Sequence, residues 1–293
     1  MINMIEIMGF REMRTGKFIK AVLAEFVATA ILIIAGCGSC VTMAEGESLS
    51  TLTTSLTFGM TVAYIVYTFN HVSGAHINPV VTLGFLVTGQ TTVVRTIAYT
   101  VAQCGGAIAG SAVIWYLVPP AWRGNLGSTV FAEGVTLGQG FVIEATSTFF
   151  LMLAVLASAD KYRTDHGGST SLTIGLVVFM QSAWAGKPTG CSMNPARSLG
   201  PAVMSGTWAN HWVYWAAPTF GSILGSLFYH HVFAESPPEV ATSIQMTSSV
   251  DLPHRDTEKR QQPTEKTPVM DKKSSKRYLK QGFGNPALDM GSA

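Results

Sequence analysis

The chain has 293 residues, 47% hydrophobic and only 12% charged, about half the ~25% charged share of an average soluble domain. Its 19 Lys and Arg against 17 Asp and Glu leave a net charge near +2, which argues against a nucleic-acid binder with a basic face. Residues 1–233 hold 10 basic and 9 acidic side chains, and the last 60 residues hold 9 and 8. Residues 1–233 are thus too apolar for a soluble enzyme or a disordered chain, and they fit a multi-span membrane protein.

A spanning helix needs ~20 mainly apolar residues. Arg11, Arg14, Lys17 and Lys20 come first, with no apolar core before them. The next run therefore reads as a first transmembrane helix that stays, not as a cleaved signal. Residues 18–41 hold one charge, Glu25, and end in a C-x-x-C, Cys37 and Cys40. No βαβ pattern accompanies it, so these thiols, like Cys104, read as small packing groups. From Ser48 to Val94 no Asp, Glu, Lys or Arg occurs over 47 residues, more than one span and less than two with a connection. Further runs are Thr96–Trp122, 136–158 with the single charge Glu144, Gly167–Gly186 and Ser198–Ala234. The predicted spans are 18–41, 50–70, 96–118, 136–158, 168–186 and 209–233.

Two apolar leftovers, near 78–87 and 194–204, are too short to cross. Asn78-Pro79-Val80 opens one and Asn194-Pro195-Ala196 the other. Asn caps a helix and Pro suits its first turn, so each leftover reads as a half-helix starting at Asn. A half-helix inside a membrane must be buried in protein or face a water-filled cavity. Basic residues flank the first span, and Lys161, Arg163 and Arg95 lie in other loops on the same side, while Glu45 and Glu47 lie opposite. By the positive-inside rule both termini are cytoplasmic. The polar tail, 234–293, has too few apolar side chains to fold alone and is expected to be a disordered, solvated segment; phosphorylation or scaffold sites are the alternative.

Glu144 follows Glu25 by 119 residues, and Asn194 follows Asn78 by 116. The chain reads as two units, about 18–118 and 136–233, each of three spans and a half-helix. Three spans are odd, so the second unit is inverted, and such folds place their site near the midplane. Two half-helix N-termini then meet there, each carrying roughly +0.5 charge equivalent, which repels cations. The amides of Asn78 and Asn194 can donate to a water at that point, which is then poorly placed to relay a proton. Each Asn on its own could be only a cap; two at matched positions argue for more. For Glu25 and Glu144, bracing the loops before the half-helices is favoured over ion coupling.

These residues resemble the aquaporin and aquaglyceroporin channels over about residues 18–233. The strings are Ser73-Gly74-Ala75-His76-Ile77-Asn78-Pro79, then Val81-Thr82-Leu83-Gly84, and Thr189-Gly190-Cys191-Ser192-Met193-Asn194-Pro195-Ala196-Arg197-Ser198-Leu199-Gly200-Pro201-Ala202-Val203. The resemblance implies an all-α membrane protein of six spans and two re-entrant half-helices. It also implies a plasma-membrane homotetramer with one passive pore per protomer, carrying water and sometimes glycerol or urea. One departure is Val80, where the family usually has Ala; a small packing change is expected.

The resemblance places an outer constriction at Phe58, Ser182, Cys191 and Arg197. Water-selective members usually have His where this chain has Ser182, so a wider filter is expected. Cys191 would line the pore and be open to mercurials. Glycerol facilitators usually have Asp after the pore Arg and a basic residue four positions on; Ser198 and Ala202, with Tyr214-Trp215, are water-channel features instead. The chain thus looks like a water-channel-lineage member with a widened filter, similar to insect glycerol-conducting channels. His76 lies near the cytoplasmic mouth, where a packing role is preferred over pH gating; His230 and His231 read as interfacial. A passive channel for water and small neutral solutes is the leading function, ahead of a strictly water-selective channel, a junction protein and an ion-coupled transporter. No metal cluster, activated nucleophile or phosphate-binding loop suggests an enzyme or a cofactor.

Overall fold

The computed structural model describes residues 8–42, 50–165 and 168–235, and every regular element among them is helical. A 3-10 turn, Glu12–Arg14, leads into α1 (Gly16–Cys37), whose last turn, Ile33–Cys37, is π-helical. Then come α2 (Thr51–Ser73), the short α3 (Pro79–Val87), α4 (Val93–Leu117), α5 (Leu137–Ala159) and α6 (Thr170–Thr189). The short α7 (Pro195–Ser205) and α8 (Val213–Phe228) follow, and a π-turn, Tyr229–Phe233, continues α8. Glu45, Glu47 and the tail from residue 236 lie outside the described residues.

Local chemistry explains the starts. Every α-helix except α8 begins at a Ser, Thr or Asn whose side chain accepts a first-turn N–H, which satisfies a donor the helix itself leaves free. Gly74 and Gly190 end α2 and α6 in the left-handed conformation. Helices α1, α2, α4 and α5 are each long and apolar enough to cross a membrane. Helix α6 is diluted by Gln181, Lys187 and Pro188, and α8 has only 16 residues before its π-turn. Their place in the bundle comes from packing, α6 along α2 and α8 along α5. The outer surface stays apolar, with Ile19, Leu52, Val101 and Val142 exposed, as a lipid-facing surface requires.

The packing has an internal two-fold pattern. Helix α1 packs on α4 as α5 packs on α8; α1 meets α2 as α5 meets α6. The half-helices are exchanged, α3 lying against α8 and α7 against α4. Helices α2 and α6 are equivalent and pack on each other. At their crossing a Cβ on Gly59 would sit 2.6 Å from the Gly175 carbonyl oxygen, and one on Gly175 would sit 2.5 Å from that of Gly59. Only glycine allows this approach, the usual solution where apolar lipid gives helices no solvophobic drive to associate.

Gly175→Ala is expected to lower stability by about 2 kcal/mol or more, the scale of overpacking against a wall that cannot move. Gly138→Ala meets nothing within 4 Å and is expected to be neutral or stabilising by about 0.5–1 kcal/mol. Thermal unfolding midpoints of both variants in detergent check the pair.

Candidate functional site

Each half-helix is reached through a loop that doubles back inside the bundle. Ala75 and Ile77 in the first loop, and Cys191 and Met193 in the second, all have φ between 43° and 50°. This left-handed conformation costs a non-glycine residue ~1–2 kcal/mol and persists only where the surroundings hold it. Here a buried carboxylate supplies the hold. Glu25 accepts the N–H of His76 (2.9 Å) and Ile77 (2.6 Å) and the hydroxyl of Ser73 (2.6 Å). Glu144 accepts the N–H of Ser192 (2.9 Å) and Met193 (2.9 Å) and the hydroxyl of Thr189 (2.7 Å). Two tyrosines repeat the same symmetry, Tyr99 donating to the Ser73 carbonyl and Tyr214 to that of Thr189.

The loops also grip each other. Asn78 Nδ2 donates to the Met193 carbonyl and Asn194 Nδ2 to the Ile77 carbonyl, both at 2.8 Å. Each Asn Oδ1 meanwhile accepts from its own half-helix, from Val80 N–H in one case and from Ala196 and Arg197 N–H in the other. A side-chain amide has two N–H donors. One is therefore taken by the opposite loop, and one per Asn remains for the cavity that both line. Pro79 and Pro195 occupy the first position of each half-helix. Val80 is buried, its carbonyl accepts from Ser222 Oγ at 2.5 Å, and it does not border the cavity. The Val side chain thus leaves the Asn78 geometry intact.

That cavity, of about 150 Å³, runs past Asn78 and Asn194 between Phe85, Ala159 and Thr170 at one end and Arg197 at the other. Its walls are mainly apolar, with Val62, Val66 and Val178 among them. A second cavity, of about 270 Å³, opens beyond Arg197 toward Asn125 and Lys187. Four residues border both: Phe58, Ser182, Cys191 and Arg197. They come from α2, α6, the second loop and α7.

Arg197 is 4% exposed. Its Nη1 donates to the Gly127 carbonyl at 2.7 Å and to Cys37 Sγ at 3.2 Å, and its guanidinium lies 4.8 Å from the Phe58 ring centroid. Its Nε is buried without a protein partner, while the side chain as a whole borders both cavities. Ser182 offers a hydroxyl and no ring on the facing wall. His76 lines the first cavity, shares a hydrogen bond with Thr82 Oγ1 (3.1 Å), stacks on Phe85 and meets Tyr99 edge-on.

Some participants were not singled out from the sequence. Gln103 Nε2 donates to Glu25 Oε2 at 2.8 Å and to Thr82; a lone amide within an uncharged run was the available signal. Gly127 contributes only a backbone oxygen, which no side-chain pattern reports. Cys37, read as a packing thiol, also accepts from Arg197.

The family model of the major intrinsic proteins matches residues 12–229. Aquaporin-4 of Mus musculus is 41% identical over 228 residues, covering 77% of this chain and 71% of its own. The lens fiber major intrinsic protein of Ovis aries is 41% identical over 218 residues, covering 74% and 82%. In fold, the chain is similar to the aquaglyceroporin from Plasmodium falciparum, with a TM-score of 0.65 at 23% identity over 73% of this chain and 96% of that one. The re-entrant half-helices, the cavity between them and these matches together identify the chain as a member of the major intrinsic protein family, the aquaporin channels for water or small solutes, and not an enzyme.

Proposed function

We propose that this channel passes water and small uncharged solutes, glycerol included, and excludes protons and ions. The observation that carries the reading is the shared border of the two cavities. A permeant must pass Phe58, Ser182, Cys191 and Arg197, the residues common to both. Phe58 gives an apolar wall for a carbon backbone, and the Arg197 guanidinium and the Ser182 hydroxyl give polar partners for its hydroxyl groups. With serine at 182 no ring narrows that wall, which favours solutes wider than water. Pore width and lining donors set selectivity in such channels.

Ion exclusion rests on two positive features. The buried Arg197 guanidinium stands at the constriction, and the N-termini of α3 and α7 face each other at the midplane. The free N–H of Asn78 and of Asn194 then binds the permeant at the centre. Glu25 and Glu144 act as braces, since the hydrogen bonds they accept leave them no role in binding and releasing an ion. The channel is proposed to sit in the plasma membrane as a homotetramer with both termini cytoplasmic, an orientation supported by the basic residues before α1.

Stopped-flow light scattering on proteoliposomes, with sucrose and then glycerol gradients, tests the pore. Wild type is expected to pass both water and glycerol. Ser182→His is expected to lose glycerol flux by about tenfold or more while water changes less than about threefold, as a narrowed pore predicts. A wild type that passes water alone makes the channel strictly water-selective. Glu144→Ala strands the buried N–H groups of Ser192 and Met193, each costing about 1–3 kcal/mol. Its thermal midpoint in detergent is expected to fall well below that of wild type, and its water flux per folded protein to fall with it.

A further inference from the structure

The constriction is bordered by residues of α2, α6, α7 and the second loop, yet its shape rests on a turn of α1 that lines neither cavity. The last turn of α1, Ile33–Cys37, is π-helical. Turns of this kind insert one extra residue and re-aim the side chains beside them. Gly36 and Cys37 lie in this turn, are buried, and line neither cavity. Gly36 lies under the Phe58 ring: a Cβ there would be 2.3, 2.6 and 2.8 Å from three ring carbons. The Arg197 guanidinium lies 4.8 Å from the centroid of the same ring. Gly36 lines neither cavity and the ring borders both, so a methyl group at position 36 pushes the ring away from α1 and toward the lumen.

Cys37 supports the second member. Its sulfur accepts from Arg197 Nη1 at 3.2 Å. The other acceptor of Nη1, the Gly127 carbonyl, belongs to a residue packed on this turn and on Cys40 just beyond it, because a Cβ on Gly127 would come within 2.9 Å of both the Cys37 oxygen and Cys40 Cβ. Both anchors of Arg197 thus lie at the C-terminal end of α1. The two-fold pattern isolates the feature. The positions matching Gly36 and Cys37 are Val155 and Leu156, in α5, which stays α-helical to Ala159. The repeats share the braces and the loops, but the first helix of the second repeat has no π-turn at the matching place.

We infer that the π-turn of α1 is a specificity-determining element, in which Gly36 seats Phe58 and Cys37 holds Arg197, so that together they set the width of the constriction. This rests on the reading of that constriction as the solute filter, and the experiment separates the two. Wild type, Gly36→Ala, Phe58→Ala, Gly36→Ala/Phe58→Ala, Cys37→Ser and Cys37→Val of the full chain are reconstituted. Water and glycerol fluxes per folded protein are then measured.

Gly36→Ala is expected to lower glycerol flux by about tenfold and water by less than about threefold, since the ring narrows the lumen. Removing the ring restores flux, bringing the double variant to within about threefold of Phe58→Ala alone. Cys37→Ser keeps an acceptor for Arg197 and stays within about twofold of wild type, whereas Cys37→Val, of similar size without one, loses glycerol flux by about threefold or more. A Gly36→Ala channel with wild-type fluxes overturns the inference, as does a double variant as impaired as Gly36→Ala. If wild type excludes glycerol, the glycerol reading falls. The inference then stands or falls on water, which Gly36→Ala must lower and the double variant must restore. If Gly36→Ala does not fold, equal fluxes in Cys37→Ser and Cys37→Val overturn it.

Discussion

A helix that ends halfway through a membrane leaves free N–H groups where lipid offers no acceptor. Everything else in this fold follows from meeting that constraint twice. The half-helix N-termini are placed inside the bundle, and their approach loops are held by two buried carboxylates, Glu25 and Glu144. A buried charge alone is costly, and a strained loop alone is costly. Joined by short hydrogen bonds, each removes the reason the other would be unfavourable. The Asn78–Met193 and Asn194–Ile77 bonds then lock the loops to one another, so neither repeat completes its half of the pore alone.

The repeats are alike in skeleton and different in chemistry. Braces, left-handed loop residues, tyrosine anchors and Asn-Pro tips recur at separations of 115 to 119 residues. The Glu25 side adds Gln103 from α4, whereas the matching position in α8 is Pro218, inside the helix. It also adds a link to the surface. Glu12, in the turn before α1, pairs with Arg95 and Thr92; Arg95 donates to Tyr99, and Tyr99 to the Ser73 carbonyl. The other side holds Arg197 where the first repeat has the apolar Val81, and its outer wall holds the π-turn of α1. The constriction thus lies where the symmetry is broken.

Much of this was legible in the chain itself. Span length and isolated charges located the helices to within a few residues, because a bilayer demands an uncharged run of defined length. The α1 boundary ran short at its C-terminal end, at Cys37 rather than 41, where a π-turn closes the helix and the chain turns at Ser39 and Cys40. Spans α6 and α8 were drawn from the absence of charge; α6 is more polar than its neighbours and α8 is apolar but short, and they pack along α2 and α5 respectively. Paired Asn-Pro tips and paired glutamates are visible at fixed separations because inverted repeats leave periodic marks.

The amino-acid sequence by itself determined the membrane class, the six full-length helices, the two half-helices and the internal repeat, since each depends on local composition and spacing. Tertiary structure alone decided what each intramembrane polar group touches. It showed that one N–H of each Asn is spent on the opposite loop, that Arg197 leans on a thiol and a loop carbonyl, and that Gly36 seats an aromatic ring. Those contacts join residues up to 160 positions apart and include backbone oxygens and a missing Cβ. No pattern of side-chain type along the chain encodes them, because they exist only once the helices have packed.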